Sequence, residues 1–128
     1  MDEKRKTVLV VDDEETIRLI FKTRLNAAGY DVVTASSGKE ALAAMEQESP
    51  DIVLLDVVMP DMNGFATCRA IRENPAWKKL PVLMITGLHR DTDALEGRQS
   101  GATDFMTKPV DHNDLTLRIR KLIGSPSK

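Results

Sequence analysis

Five short apolar runs alternate along the chain with segments of helical spacing. The runs are Thr7–Val11, Asp31–Ala35, Ile52–Leu55, Val82–Ile85 and Asp104–Thr107. Most are β-branched or Leu-rich and lack strict alternation, the pattern of strands buried on both faces of a parallel sheet. Glu15–Ala28 carries Ile17, Ile20, Phe21 and Leu25 at helical spacing and stops at Gly29. Ser37-Gly38-Lys39-Glu40 has the form of a capping box, opening a helix that runs to Glu48 ahead of Pro50. Gly64–Glu73 is a third helix, with Pro75 beyond it. Asp91 is the expected N-cap of a fourth, ending near Ser100-Gly101, and Asp111 that of a fifth with the stripe Leu115, Ile119, Leu122 and Ile123. Five βα units in a row predict a doubly wound α/β fold with right-handed crossovers. The expected organisation is a flexible segment over 1–6, one folded domain over 7–123, and a linker or tail over 124–128.

Polar residues stand where four of the five runs end. Asp12-Asp13 follow the first, Asp56 the third, Thr86 the fourth and Lys108 the fifth, whereas the second ends in Ala35-Ser36 without a charge. A carboxylate directly after an apolar run is costly unless it has partners. If the runs are parallel strands, these groups gather at one sheet edge, where open α/β sheets bind ligands. Asp12, Asp13 and Asp56 repel one another there, and Lys108 offsets only part of that. A divalent cation would offset the rest. The available ligands are hard oxygens, with no His or Cys among them, which favours Mg²⁺ over Zn²⁺.

The chemistry open to such a cluster is narrow. There is no Ser–His pair, since His89 and His112 lie in a loop and at a helix start. A carboxylate can itself be the nucleophile and form an aspartyl-phosphate. Asp56 would then attack phosphorus, the metal and Lys108 would hold the phosphoryl oxygens, and Thr86 would donate a hydrogen bond. Catalysis of this kind is positioning and electrostatics.

Composition narrows the class further. The chain has 128 residues, 41% hydrophobic and 30% charged, which suits one globular domain. A net charge of −2 gives no support for direct nucleic-acid binding. Neither a signal-peptide run nor a membrane-length apolar run is present in the sequence, so a cytoplasmic domain away from membranes is expected. The single cysteine, Cys68, rules out an internal disulfide and reads as a small apolar residue facing the core. Met45, Met84 and Met106 read as core, Met59 as loop packing, Trp77 as a surface aromatic over a helix end and His89 as solvated. Taken singly, the site residues have plain readings too: Asp12-Asp13 as a helix-start pair, Asp56 as a turn residue, Thr86 as a loop hydroxyl, Lys108 as a surface charge. Their joint placement at strand ends argues against coincidence.

From Thr7 to Ile123 the chain resembles the receiver domain of two-component response regulators. Four motifs carry the resemblance: Val10-Val11-Asp12-Asp13-Glu14; Leu54 through Gly64, with Asp56 followed by Val57-Val58-Met59-Pro60-Asp61-Met62-Asn63; Ile85-Thr86-Gly87; and Gly101 through Pro109, ending Thr107-Lys108-Pro109. Each alone is weak, but together, in this order and spacing, they are specific. The resemblance implies a flavodoxin-like fold, a five-stranded parallel sheet of order 2-1-3-4-5. It implies Asp56 as phosphoacceptor, Asp13 and Asp56 as direct Mg²⁺ ligands (Mn²⁺ being a substitute), Asp12 assisting through water, and the Val58 backbone carbonyl as a further ligand. Thr86 and Lys108 would contact the phosphoryl group, Phe105 would be the aromatic switch that reorients with Thr86, and Lys108–Pro109 would be cis. The phosphoryl donor would be a sensor histidine kinase or a phosphotransfer protein, and the signal would pass to a downstream output domain or partner protein, or into a phosphorylation-dependent homodimer. Two positions depart from the common pattern. Gly87 stands where Ala is usual, and Val58 and Leu88 are both apolar beside the site. The latter pair would serve a hydrolytic water poorly and so lengthen the life of the phosphorylated form.

Two other functions stand beside this signalling switch. One is an aspartyl-phosphate phosphohydrolase, but those enzymes usually carry an acid two residues after the nucleophile, where this chain has Val58. The other is a receiver-shaped interaction module that is never phosphorylated; its usual mark is loss of an acidic or Lys position, and none is lost here. The Phe65–Arg69 helix start and the Gly101–Phe105 stretch resemble receivers attached to cyclic-di-GMP synthases or hydrolases. Residues 124–128 fit the start of such a linker and the end of a single-domain regulator equally well.

Overall fold

The computed structural model describes residues 4–87 and 91–127. Strands β1 (Thr7–Val11), β2 (Asp31–Ala35), β3 (Ile52–Asp56), β4 (Val82–Thr86) and β5 (Asp104–Thr107) alternate with helices α1 (Glu15–Ala27), α2 (Gly38–Glu48), α3 (Gly64–Glu73), α4 (Asp91–Gln99) and α5 (His112–Ile123). A 3₁₀ turn, Pro75–Trp77, follows α3. The sheet is parallel throughout, in the order β2-β1-β3-β4-β5, so the flavodoxin-like topology expected from the sequence is the one found.

Side-chain alternation along each strand divides the core in two. Leu9, Val11, Val53, Leu55 and Met84 meet Ala41, Met45, Phe65, Cys68 and Ile71 of α2 and α3. Val8, Val10, Ile52, Leu54, Leu83, Ile85 and Met106 meet Phe21 and Leu25 of α1 and Leu115 and Ile119 of α5. The central strands β1, β3 and β4 are buried from end to end apart from Thr7, which explains their unbroken apolar runs. The edge strands β2 and β5 are only half-buried and carry Asp31, Thr34 and Asp104.

Local signals set the helix ends. The Ser37 hydroxyl accepts from the N–H of Glu40, and the Glu40 carboxylate reaches back to the N–H and hydroxyl of Ser36. Asn63 caps α3 through the N–H of Ala66, and Asp111 caps α5 through the N–H groups of Asn113 and Asp114. α4 begins at Asp91 itself, so this residue is the first helical position rather than the cap expected. Cys68 and the three core methionines are buried as expected. Trp77 is half-buried against the α2–α3 core, with its carbonyl bound by Arg72.

Residues 124–127 are held against the bottom of the sheet. The N–H of Lys6 donates to the carbonyl of Pro126 (2.8 Å), the Lys6 ammonium reaches the Ile123 carbonyl, and Arg5 bridges Ser127 in antiparallel fashion. The buried Tyr30 hydroxyl donates to the Gly124 carbonyl at 3.0 Å. Gly29, at φ +103°, lets Pro126 lie close: an added Cβ would sit 3.1 Å from the proline ring.

Candidate functional site

The strands deliver the polar groups to one edge by register. Val11 of β1 pairs with Leu55 of β3, so Asp12 and Asp56 follow side by side. Asp56 pairs with Ile85 of β4, and Thr86 with Thr107 of β5, immediately before Lys108. Both Asp56 and Thr86 are the last paired residues of their strands rather than the first residues after them. The apolar pattern stops one residue earlier than the backbone pairing does.

Alternation also sorts these groups between the sheet faces. Asp12, Asp56 and Lys108 continue the parity of Val10, Leu54 and Met106, on the α1–α5 face. Thr86 and Phe105 share the parity of Met84, on the α2–α3 face.

On the first face the charges converge. The Lys108 ammonium lies 3.1 Å from Asp12 Oδ2 and 3.4 Å from Asp56 Oδ1. Asp12 and Asp56 are buried, at 4% and 6% exposure, so their mutual repulsion is poorly screened. The other Asp12 oxygen accepts the N–H of Glu14 at 2.9 Å, fixing the carboxylate at the start of α1. Arg18 donates to the Asp12 carbonyl at 2.8 Å. Asp13 is exposed, yet one oxygen each from Asp12, Asp13 and Asp56 lie within 4.8 Å of one another.

Burial, reinforced by the Asp12 carboxylate, raises the Asp56 pKa from 3.8 to about 6. Lys108 and the N–H of Val58 pull in the opposite direction without cancelling it. Burial alone would lower the Lys108 pKa, but the Asp56 and Asp12 carboxylates together raise it, so the ammonium stays charged. The pocket therefore holds more negative charge than one lysine neutralises. Its exposed side offers hard oxygen donors, a fit for a small divalent cation.

On the second face Thr86 is fully buried at the end of β4, and its carbonyl accepts the N–H of Lys108 at 2.8 Å. The half-buried Phe105 ring lies across α4: a Cβ added to Gly97 would sit 2.9 Å from its edge and 3.4 Å from the sulfur of Met84. The Lys108–Pro109 peptide is cis. Val58 is 59% exposed in the loop after β3. Leu88 and His89 lie outside the described residues.

Two supporting residues escaped the reading of the sequence. Gly64 opens α3 so close under β3 that a Cβ would sit 2.4 Å from the carbonyl oxygen of Asp56, and its N–H donates to Val57 at 2.9 Å. Its place at the end of the Asp61–Gly64 turn was the available signal. Arg18 reaches the site from one turn into α1, and nothing in its sequence context separates it from a solvated helix charge.

A family model described as response regulator receiver domain matches residues 8–120. The probable transcriptional regulator ycf27 of Guillardia theta is 42% identical over 98% of this chain, which spans 48% of that relative. The response regulator PleD of Caulobacter vibrioides is 44% identical over 90% of this chain and is matched over 25% of its own length. The chain thus covers half or less of these curated relatives. Among solved structures, the chemotaxis protein CheY4 of Vibrio cholerae superposes with a TM-score of 0.87 at 36% identity, covering 91% of this chain and 98% of that one.

Proposed function

This chain belongs to the response regulator receiver family, and from that premise we propose that it is a phosphorylation-dependent switch with Asp56 as its phosphoacceptor. The observation that carries the reading is the buried Asp56 carboxylate at the open end of the sheet, where the Lys108 ammonium bridges it to Asp12. The donor is a phosphohistidine on a sensor kinase or phosphotransfer protein. An Asp56 oxygen forms the new O–P bond, the N–P bond breaks, and the departing imidazole keeps the electron pair. Lys108, already between the two carboxylates, meets the phosphoryl oxygens, and the Thr86 hydroxyl donates to them.

Asp13, Asp56 and the Val58 carbonyl would hold Mg²⁺, or Mn²⁺ in its place, with Asp12 helping through water. A bound cation would supply positive charge where the phosphoryl oxygens gather and offset the burial and the Asp12 repulsion that together raise the Asp56 pKa. The phosphoryl group adds about −1.5 to −2 charge and new acceptor oxygens. Thr86 is drawn toward them, and Phe105, on the same sheet face, moves with it against α4. That shift changes the surface shown to an output domain, a partner protein or a second copy of the chain. The setting is cytoplasmic. No described helix is long and apolar enough to cross a membrane.

Incubation with acetyl phosphate and Mg²⁺ tests the reading by intact-mass measurement. A single phosphoryl adduct, lost in Asp56→Asn, is expected. An unmodified wild-type chain, or an adduct that persists in the variant, overturns it. Sustained turnover of a phosphomonoester would instead assign a hydrolase, although Val58 occupies the position where such enzymes usually carry a second acid.

A further inference from the structure

We propose that the cleft between α1 and α5, walled by Arg24 and Arg120, binds a phosphate-bearing anion at a second site independent of Asp56. The cleft is an open surface groove of about 520 Å³, a volume within the range of small-ligand sites. Arg24 and Ala28 stand on one wall; His112, Thr116 and Arg120 stand on the other. No carboxylate lines it among the described residues. In a chain of net charge −2, that makes it a local concentration of uncompensated positive charge.

The arginines are not engaged by acids. The Arg24 guanidinium has no hydrogen-bond or ion-pair partner among the described residues, and its charge is felt by the His112 imidazole. Arg120 reaches the neutral hydroxyl of Tyr30. Nearby carboxylates are committed elsewhere: Asp111 caps α5, and Asp104 and Asp114 pair with Arg118. His112 lines the cleft with its ring edge-on to Phe21 at 5.2 Å, and its buried Nδ1 has no hydrogen-bond partner among the described residues.

Guanidinium groups on both walls present planar donor forks that match phosphate oxygens in a way ammonium groups do not. The Asn113 amide adds a donor. The methyl groups of Ala27 and Ala28 and the exposed Leu117 side chain give an apolar strip on which a flat ring can rest. Phosphate is therefore the shared chemistry, and its source is a nucleotide or an inorganic oligophosphate.

The test is an NMR titration of the full chain at low ionic strength, with chelator to keep phosphate away from the Asp56 cluster, using AMP in one arm and pyrophosphate in the other. Saturable shifts confined to the last turn of α1 and the first turns of α5 are expected. Arg24→Gln is expected to weaken binding about tenfold, the loss of roughly one charge-assisted bond, and Arg24→Gln with Arg120→Gln to abolish it. Labelling of Asp56 by acetyl phosphate should be unchanged in Arg24→Gln. Tighter AMP binding identifies a nucleotide site, and tighter pyrophosphate binding an oligophosphate site. Absence of saturable shifts at millimolar ligand, shifts centred on the Asp56 loop, or unaltered binding by Arg24→Gln overturns the proposal. Because Arg120 also touches Tyr30, Arg24→Gln alone decides the matter if the double variant fails to fold.

Discussion

Replacing Asp56 with Asn should make the metal-free domain more stable, even though it removes the group on which the proposed function depends. The folded state binds a proton at Asp56 more tightly than the unfolded chain does, with the pKa raised from 3.8 to about 6. Protonation therefore favours folding. The Asp56 contribution is fully present below pH ~4 and is lost as pH rises through about 6. At neutral pH the wild-type chain folds with a carboxylate that burial and Asp12 both penalise. A shift of roughly 2 units sets a ceiling of ~3 kcal/mol, and solvent relaxation together with the lost attraction of Lys108 reduces the net gain on neutralisation to about 1–2 kcal/mol. For a domain of this size that is about 4–8 °C in Tm.

Urea or thermal unfolding with chelator, at pH 7.5 and again at pH 4.5, measures this directly. The variant should lead at the higher pH and the gap should narrow at the lower. Magnesium should reverse the ranking by acting on the wild type alone. At a hundredfold above its dissociation constant, a ligand that binds only the folded state adds about 2.7 kcal/mol, more than that gap. A wild type as stable as the variant at pH 7.5 without metal, or a gap independent of pH, would refute the electrostatic account of the site.

Other consequences are open to measurement. Lys108→Ala should raise the Asp56 pKa above 6, because the one neighbouring cation that lowers it is gone; a carbon-detected NMR titration of the carboxyl reads this. Gly64→Ala should cost about 3 kcal/mol in urea unfolding, since its Cβ meets the Asp56 carbonyl at 2.4 Å, whereas Gly87→Ala, with nothing within 4 Å, should stay within about 0.5 kcal/mol. Tyr30→Phe should cost about 1 kcal/mol and speed hydrogen exchange at residues 124–127, because the bond to the Gly124 carbonyl is lost. If the apolar side chains at positions 58 and 88, each two residues after a site residue in the sequence, serve a hydrolytic water poorly, the phosphorylated form should persist for minutes or longer, and a half-life of seconds in the isolated domain would contradict that.

What the sequence disclosed follows from how the chain stores its information. β1, β3 and β4 are buried on both faces, so their apolar runs were unambiguous, and strand-end polar residues then located the sheet edge. The boundary errors at Asp56 and Thr86 have one cause: backbone pairing continues through residues whose side chains no longer read as strand. The contacts of the last described residues are illegible for a different reason. Gly, Ser and Pro compose residues 124–127 as they compose linkers, but the contacts that hold them come from Lys6, Gly29 and Tyr30, far away in sequence. Arg72 is a similar case. Its guanidinium binds the carbonyls of Gly101, Trp77 and Leu80, joining α3 to the entry of β4 and the end of α4, and no local pattern marks it.

The sheet's two-residue alternation has a consequence for how a signal would leave the site. Asp12, Asp56 and Lys108 face α1 and α5, whereas Thr86 and Phe105 face the other side, so the proposed chemistry on one face would have to be reported on the opposite one. Thr86 fits that task because it ends the strand next to Asp56, one ladder step away. The element it would move is α4, none of whose described side chains belongs to either apolar core. α4 has the sequence Asp91-Thr92-Asp93-Ala94-Leu95-Glu96-Gly97-Arg98-Gln99, with an interior glycine and with Leu95 more than half exposed. Glycine inside a helix costs roughly 1 kcal/mol relative to alanine. Here it removes the Cβ that would collide with the Phe105 ring. Helix stability has been given up at the point where an aromatic ring must lie against helix backbone, which is where a small displacement at the end of β4 would be converted into movement of α4.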